Sequence, residues 1–169
     1  MKPYDLNVLA DGILREQAVT AIELLSRNGL PKPKHFGRTQ MKDLQHIARN
    51  EPLKVLDYAK HQQGKLPKDK FLNVRPSHQD IAAIWQVVID CYHSNSVNTW
   101  SLEGEGRNYW EQSWRALDTP LPKGASTEDR QQRNLQKAQR KQFQDRWLSD
   151  IVPIFFDFFC TEYVFHLPH

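Results

Sequence analysis

Apolar residues recur every three to four positions through most of this chain, and convincing apolar–polar alternation appears nowhere. Leu6, Leu9, Ile13, Val19, Ile22 and Leu25 trace one such stripe, which predicts a helix over residues 5–27 stopped by Asn28-Gly29. Pro31, Pro33 and Gly37 then enforce a loop. Met41, Leu44 and Ile47 mark a second helix, with Thr39 as its candidate cap. Pro52 suits the first turn of a third, because that turn needs no N–H there; Leu53, Leu56 and Tyr58 follow, and Gly64 ends it. Segment 65–76, rich in lysine and proline, reads as an exposed loop. Ser77 and Asp80 have capping-box spacing ahead of a fourth helix with Ile81, Ile84, Trp85, Val88 and Cys91 as its inward stripe. A polar stretch over 94–108 precedes a short helix around Tyr109, Trp110, Trp114 and Leu117. A long helical tract begins at Thr127, and Pro153 should kink or divide it before an aromatic closing segment. The expected fold is all-α, a compact bundle of about five to seven helices with a long, Pro-kinked C-terminal tract. It forms a single helical domain over 1–169 without internal repeats, and 94–126 reads as a mobile insertion.

Composition narrows this picture. With 39% hydrophobic and 25% charged residues, a chain of 169 can bury a sizeable core and is not disordered. A formal charge of only +3 means that any polyanion must be met by local patches. Cys91 and Cys160 stand in no CxxC arrangement, so two buried thiols in a reduced, cytoplasmic setting are expected. The amino-terminal segment carries acids and lacks an apolar h-region, so no signal peptide is expected. Asp150, Pro153, Asp157 and Glu162 interrupt the apolar run over 147–165, which falls short of the ~20 residues a bilayer needs; no membrane partner is expected.

Candidate chemistry is sparse. Cys91-x-His93, Cys160 and His166-x-x-His169 offer zinc-ligating atoms at a spacing that matches no usual structural pattern. No arginine precedes a histidine at the separation helical ribonucleases use; Arg38 and His46 come nearest and miss. Cys91 and His93 diverge on a helix as i and i+2, which spoils a nucleophile–base pair. Asp150 and Asp157 share a face, which a solvated surface explains without metal catalysis. Residues 103–107 hold glycines but not the lysine and hydroxyl of a phosphate loop. The expectation is therefore no enzyme, no metal and no cofactor.

The cations carry more. Arg130, Arg133, Lys137 and Arg140 fall at three- and four-residue steps, and no acid stands between Asp129 and Asp145 to pair with them along the helix. Such a stripe repeats at roughly 5–6 Å per turn, near the spacing of phosphates on a single strand. An ordinary solvated face is the competing reading. A second cluster comprises Lys60, His61, Lys65, Lys68, Lys70 and Arg75, with Tyr58 and Phe71 placed to stack; the competing reading is a loop that only confers solubility. Arg38 and Lys42, one turn apart, extend that surface. The aromatic tract with Phe155, Phe156, Phe158, Phe159, Tyr163 and Phe165 reads as core, or alternatively as the interface of a protein-interaction adaptor.

Two stretches carry a resemblance. Arg38-Thr39-Gln40-Met41-Lys42-Asp43-Leu44, followed by Leu56-Asp57-Tyr58-Ala59-Lys60-His61-Gln62-Gln63-Gly64-Lys65, resembles small helical proteins of type III CRISPR loci. Their pattern is an R/S-x-Q-x-x-x-L helix and then Tyr/Phe-x-x-x-Gln-x-Gly-basic. The closing tract over 155–165 also resembles the aromatic final helix of such proteins, and the resemblance covers about a quarter of the chain; segment 94–126 and the glutamine-rich helix depart from it. It implies a non-cutting small subunit or accessory of an RNA-guided effector complex, with guide or target RNA and other effector subunits as partners. It further implies backbone contacts from Arg38, Lys42, Lys60 and Lys65. RNA versus DNA, homo-oligomerisation and the need for partner subunits stay open.

Overall fold

The computed structural model describes residues 5–95 and 114–168. Among these the chain is helical, with one isolated bridge, Lys68 to Val74, in place of any strand. The helices are α1 (Leu6–Leu9), α2 (Arg15–Arg27), α3 (Arg38–Asn50), α4 (Val55–Gly64), α5 (Gln79–Ser94) and α6 (Thr127–Phe165). No helix among the described residues is long and apolar enough to cross a membrane.

α1 starts where the Asp5 carboxylate accepts from the Asn7 and Val8 amides. A π turn over Ala10–Leu14 joins it to α2. The extra residue of that turn re-phases the apolar stripe: Leu14, Ala18, Ile22 and Leu25 are buried, while Val19, expected in the stripe, is only half-buried. Gly29 takes the left-handed conformation at φ 88° and ends the helix as the sequence predicts. Thr39 is not the cap of α3. Gly37 is, with its N–H donated to Gln40 Oε1 at 2.8 Å. A Cβ on Gly37 would lie 2.7 Å from the Pro33 carbonyl oxygen. Gly37→Ala should therefore cost about 1–3 kcal/mol, read as a lowered thermal midpoint; an unchanged midpoint would contradict the close approach.

The third helix begins, as expected, at Pro52, though its first turn is 3-10 (Pro52–Lys54). The capping box expected at Ser77 and Asp80 does not form: Pro76–His78 is another 3-10 turn, Ser77 Oγ meets His78 Nδ1, and Asp80 accepts from the neighbouring Ile81 amide. Proline at Pro76 sets that tighter turn and shifts the helix start to Gln79. A reciprocal box forms instead at α6, between Ser126 and Asp129.

α6 packs on α2 and α3 through its carboxyl half. Trp147, Ile151, Phe155, Phe156, Phe159 and Tyr163 are all buried there. Phe36 joins this layer to α5 by meeting Trp85 and Tyr163 edge-on at 5.4 and 5.7 Å. Pro153 does not divide the tract; α6 runs through it unbroken. The packing of Val152 and Phe155 on either side holds the helix together where proline removes one backbone bond. Asp157 is structural, accepting from Gln45 Nε2 at 3.0 Å and Arg49 Nε at 2.9 Å to tie α3 to α6. Of the 94–126 stretch, 96–113, with Tyr109 and Trp110, lie outside the described residues. Trp114 and Leu117 are buried against the core, Trp114 packing on Phe143 at 4.8 Å.

Candidate nucleic-acid interface

The amino half of α6 leaves the bundle. No residue over 127–142 is buried, and burial in this helix resumes only at Trp147. At ~1.5 Å per residue this arm is roughly 24 Å long, and it is polar almost all round. Its stability comes from its ends. The Ser126–Asp129 box closes the first turn, Glu128 and Asp129 face the positive helix terminus, and Lys141 pairs with Asp145 at 2.9 Å.

The 3-10 turn Arg115–Asp118 and the segment after it lie along this arm. Between them runs an open groove of about 540 Å³, lined by Arg130, Arg133, Asn134 and Lys137 from α6 and by Asp118 and Leu121 among the residues opposite. Three of the four predicted cations thus share one face. No acid on the helix between Asp129 and Asp145 pairs with them, but acceptors for three of the four come from residues ahead of the helix. Arg140 pairs with Asp118 at 2.8 Å, and Arg133 donates to the Thr119 carbonyl. Arg130 Nε reaches the Ala125 carbonyl at 3.5 Å, the limit of a hydrogen bond. A carbonyl orients a guanidinium without neutralising it, whereas the carboxylate of Asp118 cancels the charge of Arg140. Arg130, Arg133 and Lys137 keep theirs.

Arg38 and Lys42 line a different groove, about 210 Å³ and mainly apolar, between α3 and the end of α6. Lys60 and Lys65 are exposed on α4 and its cap and line neither groove. Within the second basic cluster, Lys68 donates to the Gly64 and Leu66 carbonyls and Arg75 to the Lys68 carbonyl, so both hold the loop together. Tyr58, expected to stack, packs edge-on against Trp85 at 5.7 Å instead. Phe71 does stand in solvent, 72% exposed. Asp118 and Thr119 escaped sequence reasoning because nothing local marks a residue 22 positions away as the partner of Arg140.

Among the described residues no group of three or more His, Cys, Asp or Glu side chains converges as a metal site; His169 lies outside them. Burial pushes the Cys91 thiol from 9.0 up to about 12, with Asp90 adding to the effect, and pushes Cys160 further in the same direction. Cys160 is buried as expected and Cys91 only half-buried; at neutral pH both should be alkylated slowly, because little thiolate forms there. Since the unfolded thiol ionises first, this contribution to stability is intact below pH 9 and should fade as pH climbs toward 12. Rapid labelling of the native protein at pH 7 would contradict the raised thiol pKa.

The chain matches no family model, and neither the curated proteins nor the solved structures contain a significant match to it.

Proposed function

We propose that this protein is a non-catalytic RNA-binding subunit of a larger ribonucleoprotein, of the kind found as small subunits of type III CRISPR effector complexes. The reading rests on one observation: a projecting helical arm with no acid between Asp129 and Asp145 sets Arg130, Arg133 and Lys137 along an open groove. Phosphates of a single strand can occupy such a face without a deep pocket, and arginine forks onto their oxygens. Segments 38–44 and 56–65 add the resemblance already described, and Arg38, Lys42, Lys60 and Lys65 would give it further backbone contacts. Guide or target RNA and neighbouring effector subunits are the partners that follow from this reading.

The adaptor alternative draws less support. Phe156 and Phe159 are buried in the core, which leaves Phe165 as the strongly exposed ring of the aromatic tract.

Fluorescence anisotropy with a labelled, mixed-sequence single-stranded RNA tests the proposal. Binding that is sequence-tolerant and weakens steeply with salt is expected; a flat titration at low salt would overturn it. Asp118→Asn sharpens the test. The pair it removes is solvent-exposed on the Asp118 side and worth at most ~1 kcal/mol, so stability should hardly change. Arg140, released, should tighten RNA binding about three- to five-fold at low salt; unchanged or weaker binding would count against the groove as the site.

A further inference from the structure

Loop 67–75 presents two apolar side chains to water: Phe71 is 72% and Leu72 79% exposed. The loop is built rather than slack. The Asp69 carboxylate accepts from the Phe71 and Asn73 amides at 2.8 and 3.0 Å, and the Asp69 amide donates to the Asn73 carbonyl at 2.8 Å. Arg75 donates its amide to the Pro67 carbonyl at 2.9 Å, closing the base. Leu72 is held at φ 65°, a conformation that L side chains rarely adopt.

The charge around the tip is one-sided. Asp69 is the sole acid between Asp57 and Asp80, and its carboxylate is engaged by amides, while Lys65 and Lys70 stand in or beside the loop and are exposed. Lys70 Nζ sits 5.1 Å from the Phe71 ring centroid, covering one face and leaving the other open. An aromatic face beside cations matches a base beside its own phosphate. We infer that Phe71 and Leu72 form a wedge that stacks on and separates the bases of a single nucleic-acid strand, with Lys65 and Lys70 on its phosphates. The inference rests on the nucleic-acid reading above and adds a second contact, away from the α6 arm.

Single-stranded RNA and DNA carrying 2-aminopurine report the stacking directly. The full chain should quench the probe. Phe71→Leu, which keeps an apolar tip but loses the ring, should abolish the quench and weaken binding about 5- to 30-fold, and Phe71→Trp should retain both. Leu72→Gly should leave the thermal midpoint unchanged or raised while lowering affinity, because it relaxes φ and removes half of the wedge. Wild-type quenching and affinity in Phe71→Leu would overturn the wedge. So would RNA affinity untouched by Phe71→Leu together with binding to phosphatidylserine vesicles that Leu72→Gly abolishes, which would mark a lipid surface. If Arg130→Gln/Arg133→Gln/Lys137→Gln loses RNA binding while Phe71→Leu keeps it, the wedge fails and the arm stands. A wild-type chain that binds neither oligonucleotide refutes both.

Discussion

Replacing Phe156 with aspartate is expected to abolish the cooperative thermal unfolding transition of this protein. Phe156 has no exposed surface and packs on Phe155 and Phe159 at ring separations of 5.0 and 5.6 Å. Truncating such a ring costs about 3–5 kcal/mol through lost contacts and the cavity left behind. An aspartate adds the cost of burying a carboxylate with no partner, in a fold whose whole stability is ~5–15 kcal/mol. The matched control is Phe165→Asp on the same helix. That ring is 74% exposed, and its loss should change stability by no more than about 0.5 kcal/mol. Circular dichroism melts of the two variants check the contrast. A folded Phe156→Asp with a normal midpoint would mean that the aromatic layer is not the core.

The largest functional effect is expected from Arg130→Gln/Arg133→Gln/Lys137→Gln. All three residues lie on the arm, outside the core, so the midpoint should stay within a few degrees of wild type. Single-stranded RNA binding should fall by about two orders of magnitude near 50 mM salt, because three fewer phosphates release their counterions. Glutamine keeps the length, polarity and helix propensity of the replaced side chains, so the change isolates charge. The same three substitutions on an ordinary solvated helix would leave binding untouched.

Much of the bundle was legible in the sequence because its information is periodic. Ile81, Ile84, Trp85 and Val88 line the buried face of α5 as their spacing requires, and Asn28-Gly29 closes α2 as its chemistry requires. What escaped was set by contacts between distant residues or by competing local geometry. The π turn at Ala10–Leu14 shifts burial from Val19 to Leu14 and Ala18 without altering the three-to-four pattern that predicted the helix. Pro153 reads as a breaker, yet flanking core residues carry the helix through it. Ser77 and Asp80 have the spacing of a cap, but Pro76 winds the chain into a tighter turn first. Ser126 and Asp129 have the same spacing and, with no proline directly before them, form the box.

The candidate interface divides in the same way. That Arg130, Arg133 and Lys137 share a face follows from helical spacing alone. That Arg140 spends its charge on Asp118, and that Tyr58 turns inward to Trp85, depends on the tertiary fold. Leu72 is not legible in the sequence because neither hydropathy nor spacing reports a backbone held at positive φ.

The most direct measurement compares how RNA affinity depends on salt in the wild-type chain and in the three-glutamine variant. Phosphates neutralised by Arg130, Arg133 and Lys137 predict a plot of log K against log salt that is shallower by about 2 in the variant. Equal slopes for the two proteins, at any affinity, would show that these cations meet no phosphate and would contradict the account.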